Sequence, residues 1–169
     1  DMGYTGIGEN VYGSWIYRDG QIDWNANGFI EMPDGWYYTS GGKVDETFNG
    51  LTENRYGWWY LTKGRVDYGY NGLAENQYGW WYVRNGQVDM GYTGIGENVY
   101  GSWIYRDGQI DWNASGFIEM PDGWYYTSGG KVDKSFNGLA ENQYGWWYLT
   151  AGTVNFEYCG IAENLYGTW

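Results

Sequence analysis

The dipeptide of glycine followed by Ile, Phe or Leu recurs at Gly6, Gly28, Gly50, Gly72, Gly94, Gly116, Gly138 and Gly160, and every interval is 22 residues. A fixed period of this length marks a repeat architecture, in which each unit is too small to bury a core alone and does so against its neighbours. Seven complete units follow, at 7–28, 29–50, 51–72, 73–94, 95–116, 117–138 and 139–160, with partial units at 1–6 and 161–169. The chain 1–169 is therefore expected to form a single repeat array, and because it starts and stops inside units it reads as a piece of a longer one. A second period lies above the first, since residues 1–81 match 89–169 with few substitutions, an offset of four units.

Each unit carries the pattern of a β-hairpin. The run Trp80-Trp81-Tyr82-Val83-Arg84 is followed by Asn85-Gly86 and then Gln87-Val88-Asp89. Asn85-Gly86, Asp19-Gly20, Gly41-Gly42 and Asp107-Gly108 tolerate positive φ at both turn positions, as a two-residue type I′ loop requires; Lys63-Gly64 and Ala151-Gly152 match less well. Such a loop pairs Arg84 with Gln87, Val83 with Val88 and Tyr82 with Asp89. Because strand side chains alternate, Trp81, Val83 and Val88 then share one face, assigned to the interior, and Trp80, Tyr82 and Arg84 share the other. A lone hairpin is marginal in water, so each must pack on the next through the glycine-hydrophobic connector. The expected fold is all-β, a β-solenoid of tandem 22-residue hairpins whose truncated ends at Asp1 and Trp169 should fray.

A formal charge of -12 disfavours nucleic acid and anionic membrane surfaces as partners. No apolar run approaches the roughly 20 residues needed to cross a bilayer, so no membrane insertion is expected. With no His and one Cys, Cys159, neither a zinc site nor Ser/His or Cys/His nucleophile chemistry is expected. The recurrent Glu9, Glu31, Glu53, Glu75, Glu97, Glu119, Glu141 and Glu163 sit in equivalent places, whereas glycosidase chemistry needs two carboxylates in unlike environments. Their expected role is to cap the connector turn. No catalytic residue, metal site or cofactor is therefore assigned.

The motif Tyr-Gly-Trp-Trp-Tyr, a glycine turn, then glycine plus a hydrophobic residue resembles the choline-binding and glucan-binding cell-wall repeat family, across essentially the whole chain. The resemblance implies stacked hairpins, a bacterial cell-surface or extracellular location, and ligand sites formed by aromatic side chains between successive hairpins. Carried over by position, the first aromatic of the family's run falls on Trp36, Trp58, Trp80, Trp124 and Trp146, and its last tyrosine on Tyr38, Tyr60, Tyr82, Tyr126 and Tyr148. After the connector glycine, choline-binding members have Trp where this chain has Ile7, Phe29, Leu51 and their equivalents, which removes one wall of a cation cage in every unit.

These ten rings are the candidate ligand contacts, by stacking, with Asp45, Asp67, Asp89 and Asp133 as polar support across the hairpin and Asn49, Asn71 and Asn137 before the connector. The same rings could instead pack between repeats. One covariation refines the picture: where the first aromatic is Ser14 or Ser102, the residue twelve places on is Ala26 or Ala114, and elsewhere the pair is large, as in Trp36 with Phe48 and Trp58 with Tyr70. The two positions are expected to touch, with Trp24 and Trp112 filling the gap in the small pairs, so two kinds of groove should alternate. The reading from sequence is a non-catalytic carbohydrate or cell-wall-binding module whose partner is a glycan or cell-wall polymer. A choline (teichoic acid) anchor and a structural spacer of a surface protein are the alternatives.

Overall fold

The computed structural model describes residues 2–168, so Asp1 and Trp169, where fraying was expected, lie outside it. The described residues are all-β, with antiparallel hairpins repeating at the sequence period and no helix. They form two compact groups, Asp1–Asp89 and Met90–Trp169, a division that coincides with the internal duplication.

Each of the seven hairpins before residue 155 has three strands rather than two. In the first these are Gly6–Asn10, Gly13–Arg18 and Gln21–Ile22, and the set recurs every 22 residues to Gly138–Asn142, Gly145–Thr150 and Thr153–Val154. We call them the opening, aromatic and return strands. The return strand pairs as the turn chemistry predicts, Val83 with Val88 and Arg84 with Gln87. The glycine-hydrophobic segment is not a connector: Gly72–Asn76 is a full strand, paired from Gly72↔Val83 to Asn76↔Gly79. Its short apolar content hid it, because period-2 patterning is weak in a five-residue strand.

The opening strand also corrects the role given to the glutamates. Glu53 and Glu75 lie within it, opposite Trp58 and Trp80. The tight turn beyond is capped by asparagine instead: Asn54 Oδ1 accepts from Tyr56 N at 2.9 Å and from Trp59 Nε1 at 3.2 Å, and Asn76 and Asn142 do the same in their units. An amide oxygen suits this double duty, since one acceptor satisfies both a backbone and an indole donor.

Successive units are joined by backbone. The turn glycine of one unit accepts from the aromatic strand of the unit before, Tyr38 N to Gly64 O at 2.8 Å, and donates to the link between them, Gly64 N to Phe48 O at 2.9 Å. Tyr126, Gly152 and Phe136 repeat this in the second group, at 2.8 and 3.0 Å. The turn leaves no room for a side chain at the glycine: a Cβ on Gly64 would lie 2.5 Å from the Asp45 carbonyl oxygen, at a φ of +71°. The first turn residue adopts positive φ even where it is Lys63 (51°) or Ala151 (50°), so the weaker turn sequences form the same turn. Tertiary hydrogen bonds outweigh the roughly 1–2 kcal/mol cost of that conformation.

Stacking also alters the two faces. Val83 and Val88 are buried as assigned, but Trp81 is only half-buried. On the face assigned outward, Trp80 and Tyr82 are half-buried, and the equivalents of Tyr82 in the serine-bearing units, Ile16 and Ile104, are fully buried. Within each group a hairpin covers one face of its predecessor, so neither face is simply inside or outside. In the first group Ile16, Ala26, Met32, Tyr37 and Val44 form one such interlayer cluster.

Candidate ligand-binding grooves

The last tyrosines of the motif are committed to intramolecular stacks. Tyr38 lies on Phe48 (centroids 3.9 Å, 12°), Tyr60 on Tyr70 (3.6 Å, 15°), Tyr126 on Phe136 (3.8 Å, 11°) and Tyr148 on Tyr158 (3.5 Å, 11°). The covarying ring position therefore stacks on the last tyrosine, two residues beyond the first aromatic, which is why Ala26 accompanies Ile16 as well as Ser14. A further tie comes from Tyr70, whose hydroxyl donates to the Leu73 carbonyl at 2.6 Å. Tyr82 carries the Arg84 guanidinium 6.0 Å from its ring centre.

The first aromatics meet rings of the following hairpin. Trp36 is parallel to Tyr56 (5.4 Å, 7°) and edge-on to Trp59 (4.7 Å, 90°); Trp124 repeats both contacts with Tyr144 (5.6 Å, 3°) and Trp147 (4.6 Å, 79°). Trp58 and Trp146 meet Tyr78 and Tyr166 at an edge, and Trp80 is half-buried at the end of the first group. Trp36 and Tyr56 are in ring-to-ring contact, with no space between them for a cation, which needs roughly 4–6 Å on each side. Any ligand must use the other side of Trp36.

The polar residues proposed as support hold turns. Asp45 and Asp67 accept from the backbone N–H two residues on, at Thr47 (3.0 Å) and Gly69 (3.0 Å), and Asp133 does so from Ser135 at 2.9 Å. Asp67 also accepts from the Thr62 hydroxyl at 2.9 Å, and Asp89 pairs with Arg84 at 3.1 Å. The hydroxyls of Thr47 and Ser135 hold the carboxyls of Asp45 and Asp133 below the usual carboxylate range, with the backbone N–H bonds adding to the effect. Asn49, Asn71 and Asn137 clamp the next turn, accepting from Lys63 N (3.0 Å), Asn85 N (2.9 Å) and Ala151 N (3.1 Å). Cys159, exposed, occupies this column in the last unit.

Two kinds of groove are present. Beside the serine-bearing hairpins lie clefts of about 620 Å³, edged by Tyr12, Lys43 and Thr47, and about 580 Å³, edged by Tyr100, Ser102 and Lys131. Beside the tryptophan-bearing hairpins lie narrower ones. The first, about 120 Å³, is bounded by Asp34, Trp36, Tyr37, Arg65 and Tyr68; its counterpart, about 330 Å³, by Asp122, Trp124, Tyr125, Thr153 and Phe156. Burial first, then the neighbouring carboxylate, raises the hydroxyl pKa of Tyr37 and of Tyr125, with Arg65 opposing the rise at Tyr37.

Trp24 and Trp112 do not fill the gap left by the serines. They lie edge-on to Trp15 and Trp103 (5.3 Å each) and are 63% and 61% exposed. Reasoning one hairpin at a time singled out only Trp24 and Trp112 of this column, and passed over its continuation at Tyr68 and Phe156 as well as Tyr37 and Tyr125. Its signal was a recurrent large residue just after the return strand. The groove joins residues 32 apart, Trp36 with Tyr68, so no local pattern displays it.

Residues 47–67, 69–89 and 135–155 match the choline-binding repeat family. Over these segments the chain is similar to that family's repeat, in agreement with the aromatic motif. Among solved structures it is similar to choline binding protein F from Streptococcus pneumoniae (20% identity, TM-score 0.36, covering 98% of this chain and 57% of that one). It is also similar to CbpF in complex with ipratropium by soaking (19%, TM-score 0.36, 98% and 59%). The chain spans less than two thirds of either. No curated protein sequence matches it.

Proposed function

We propose that the chain is a non-catalytic cell-wall-binding module, a single array of hairpin repeats, that holds a bacterial surface polymer by the quaternary ammonium groups of its choline substituents. The observation that carries this reading is that the rings already hold cations. Lys43 lies over Trp15 (5.8 Å), Arg55 over Tyr56 (4.6 Å), Arg65 over Tyr37 (5.3 Å), Arg84 over Tyr82 (6.0 Å) and Lys131 over Trp103 (5.6 Å). A trimethylammonium head offers the same unit charge, needs no hydrogen bond, and gains about 0.5–2 kcal/mol from each ring face. The groove of Trp124, Tyr125 and Phe156 supplies three rings around about 330 Å³, with Asp122 at its edge. The net charge of -12 favours cationic ligands over anionic ones, and the match to choline-binding repeats points the same way. Several weak sites on one chain would act together on a polymer through avidity.

A neutral glycan is the second reading, favoured by the exposed Trp24 and Trp112, whose flat faces suit the apolar side of a pyranose. Titration with choline chloride, followed by tryptophan fluorescence, separates the two. The first reading expects saturable binding that weakens at least tenfold in Trp124→Ala. Binding to a polysaccharide that free choline does not displace, and that is lost in Trp24→Ala with Trp112→Ala, supports the second instead.

A further inference from the structure

The grooves at Trp36 and Trp124 are built from the same residues at an offset of 88, and among their lining side chains only Arg65/Thr153 and Tyr68/Phe156 differ. Their free volumes are about 120 and about 330 Å³. Loss of one hydroxyl from Tyr68 to Phe156 cannot account for that difference; the guanidinium can. Arg65 places it 5.3 Å from the Tyr37 ring centre. Its far end is held two hairpins back, donating to Ser14 Oγ at 2.9 Å and pairing with Glu9 at 3.5 Å.

In the second group a different residue performs that neutralisation. Glu97, the counterpart of Glu9, accepts from Ser102 at 2.6 Å and pairs at 3.4 Å with Lys134, which stands where the first group has Glu46. The paired changes Arg65/Thr153 and Glu46/Lys134 thus keep a cation beside the glutamate while removing it from the ring.

We infer that Arg65 is an internal plug, a side-chain cation seated in the aromatic groove where an external ammonium would bind, and that Thr153 leaves the equivalent groove open. The residue at this place in each return strand sets which grooves accept a quaternary ammonium. A plugged groove opposes the ligand twice, by filling the space and by like charge at close range. This rests on the reading of the grooves as ammonium sites.

The test is calorimetric titration of the full chain with choline chloride, and in parallel with tetramethylammonium, for the wild type and for Arg65→Thr, Arg65→Gln and Thr153→Arg. The glutamine variant reproduces the residue found at Gln87 and guards against loss of the Ser14 tether disturbing the fold, with unfolding midpoints measured alongside. Removal of Arg65 is expected to add about one binding equivalent, and Thr153→Arg to remove one or weaken it at least tenfold. Wild-type binding with unchanged stoichiometry in the folded Arg65 variants, or with full affinity in Thr153→Arg, overturns the plug and leaves the ammonium reading intact. Silence toward both ammonium probes in every variant overturns the two together.

Discussion

The segments 29–40 and 117–128 are identical, yet they border different grooves because the hairpins that follow them differ. What stays constant across those following hairpins is the stacking apparatus: Leu61 and Leu149 are both fully buried, and Gly64 and Gly152 make the same backbone links to the hairpin before. What varies is the residue beside the ring, Arg65 or Thr153, and the column beyond it, Tyr68 or Phe156. The comparison teaches that backbone links and apolar positions carry the architecture, so the groove-lining columns can change without cost to it.

The largest effect should come from the buried pair. Leu61→Ala and Leu149→Ala each remove a side chain of 0% exposure and should each cost about 2–5 kcal/mol in denaturant unfolding. A large inequality between them would break the equivalence of the two groups. Next are Gly64→Ala and Gly152→Ala, whose new Cβ would meet the Asp45 or Asp133 carbonyl oxygen at 2.5 Å and positive φ; about 2–3 kcal/mol is expected from each. An effect below 1 kcal/mol at either would mean that the inter-unit link can relax.

Acid sensitivity gives a smaller effect. Asp45 and Asp133 have folded-state pKa values below the usual carboxylate range, so the unfolded chain binds more protons as pH falls toward 4. The stability they contribute is present above the unfolded carboxyl range and is lost as pH drops through the folded pKa. Asn155 forms the same turn, accepting from Glu157 N at 3.0 Å, so Asp45→Asn and Asp133→Asn should keep the fold and flatten the acid limb of stability against pH. An unchanged acid slope in both would remove the turn carboxylates from this role.

The smallest effect distinguishes the two groups directly. Glu97 is held below the usual carboxylate range by the Ser102 hydroxyl first and Lys134 second. Carbon-detected NMR titration should therefore find Ser102→Ala and Lys134→Ala each raising the Glu97 pKa. No rise in Lys134→Ala would remove Lys134 as the partner of Glu97 and break the charge exchange between the groups.

Much of this was legible from residues. The Asn85-Gly86 turn and the Val83↔Val88 pairing followed from turn chemistry, because a two-residue loop leaves a single register. Seven units could be counted because the glycine-hydrophobic dipeptide recurs at one fixed interval. The opening strand, the asparagine caps and the turn role of the aspartates were not legible, since each depends on groups two to eleven residues away that only the folded turn brings near. The candidate rings divided similarly: Trp36 and Trp124 do border grooves, while Tyr38, Tyr60, Tyr126 and Tyr148 are in stacks with rings ten residues further along.

The 22-residue spacing by itself determined that this chain repeats, that it is built of hairpins, and which residues turn them, because those are properties of local backbone geometry and period. Only the tertiary structure decided which rings face one another and which grooves stay open. Those contacts join residues from successive units, where a single guanidinium at Arg65 or its absence at Thr153 changes the space beside an identical pair of rings.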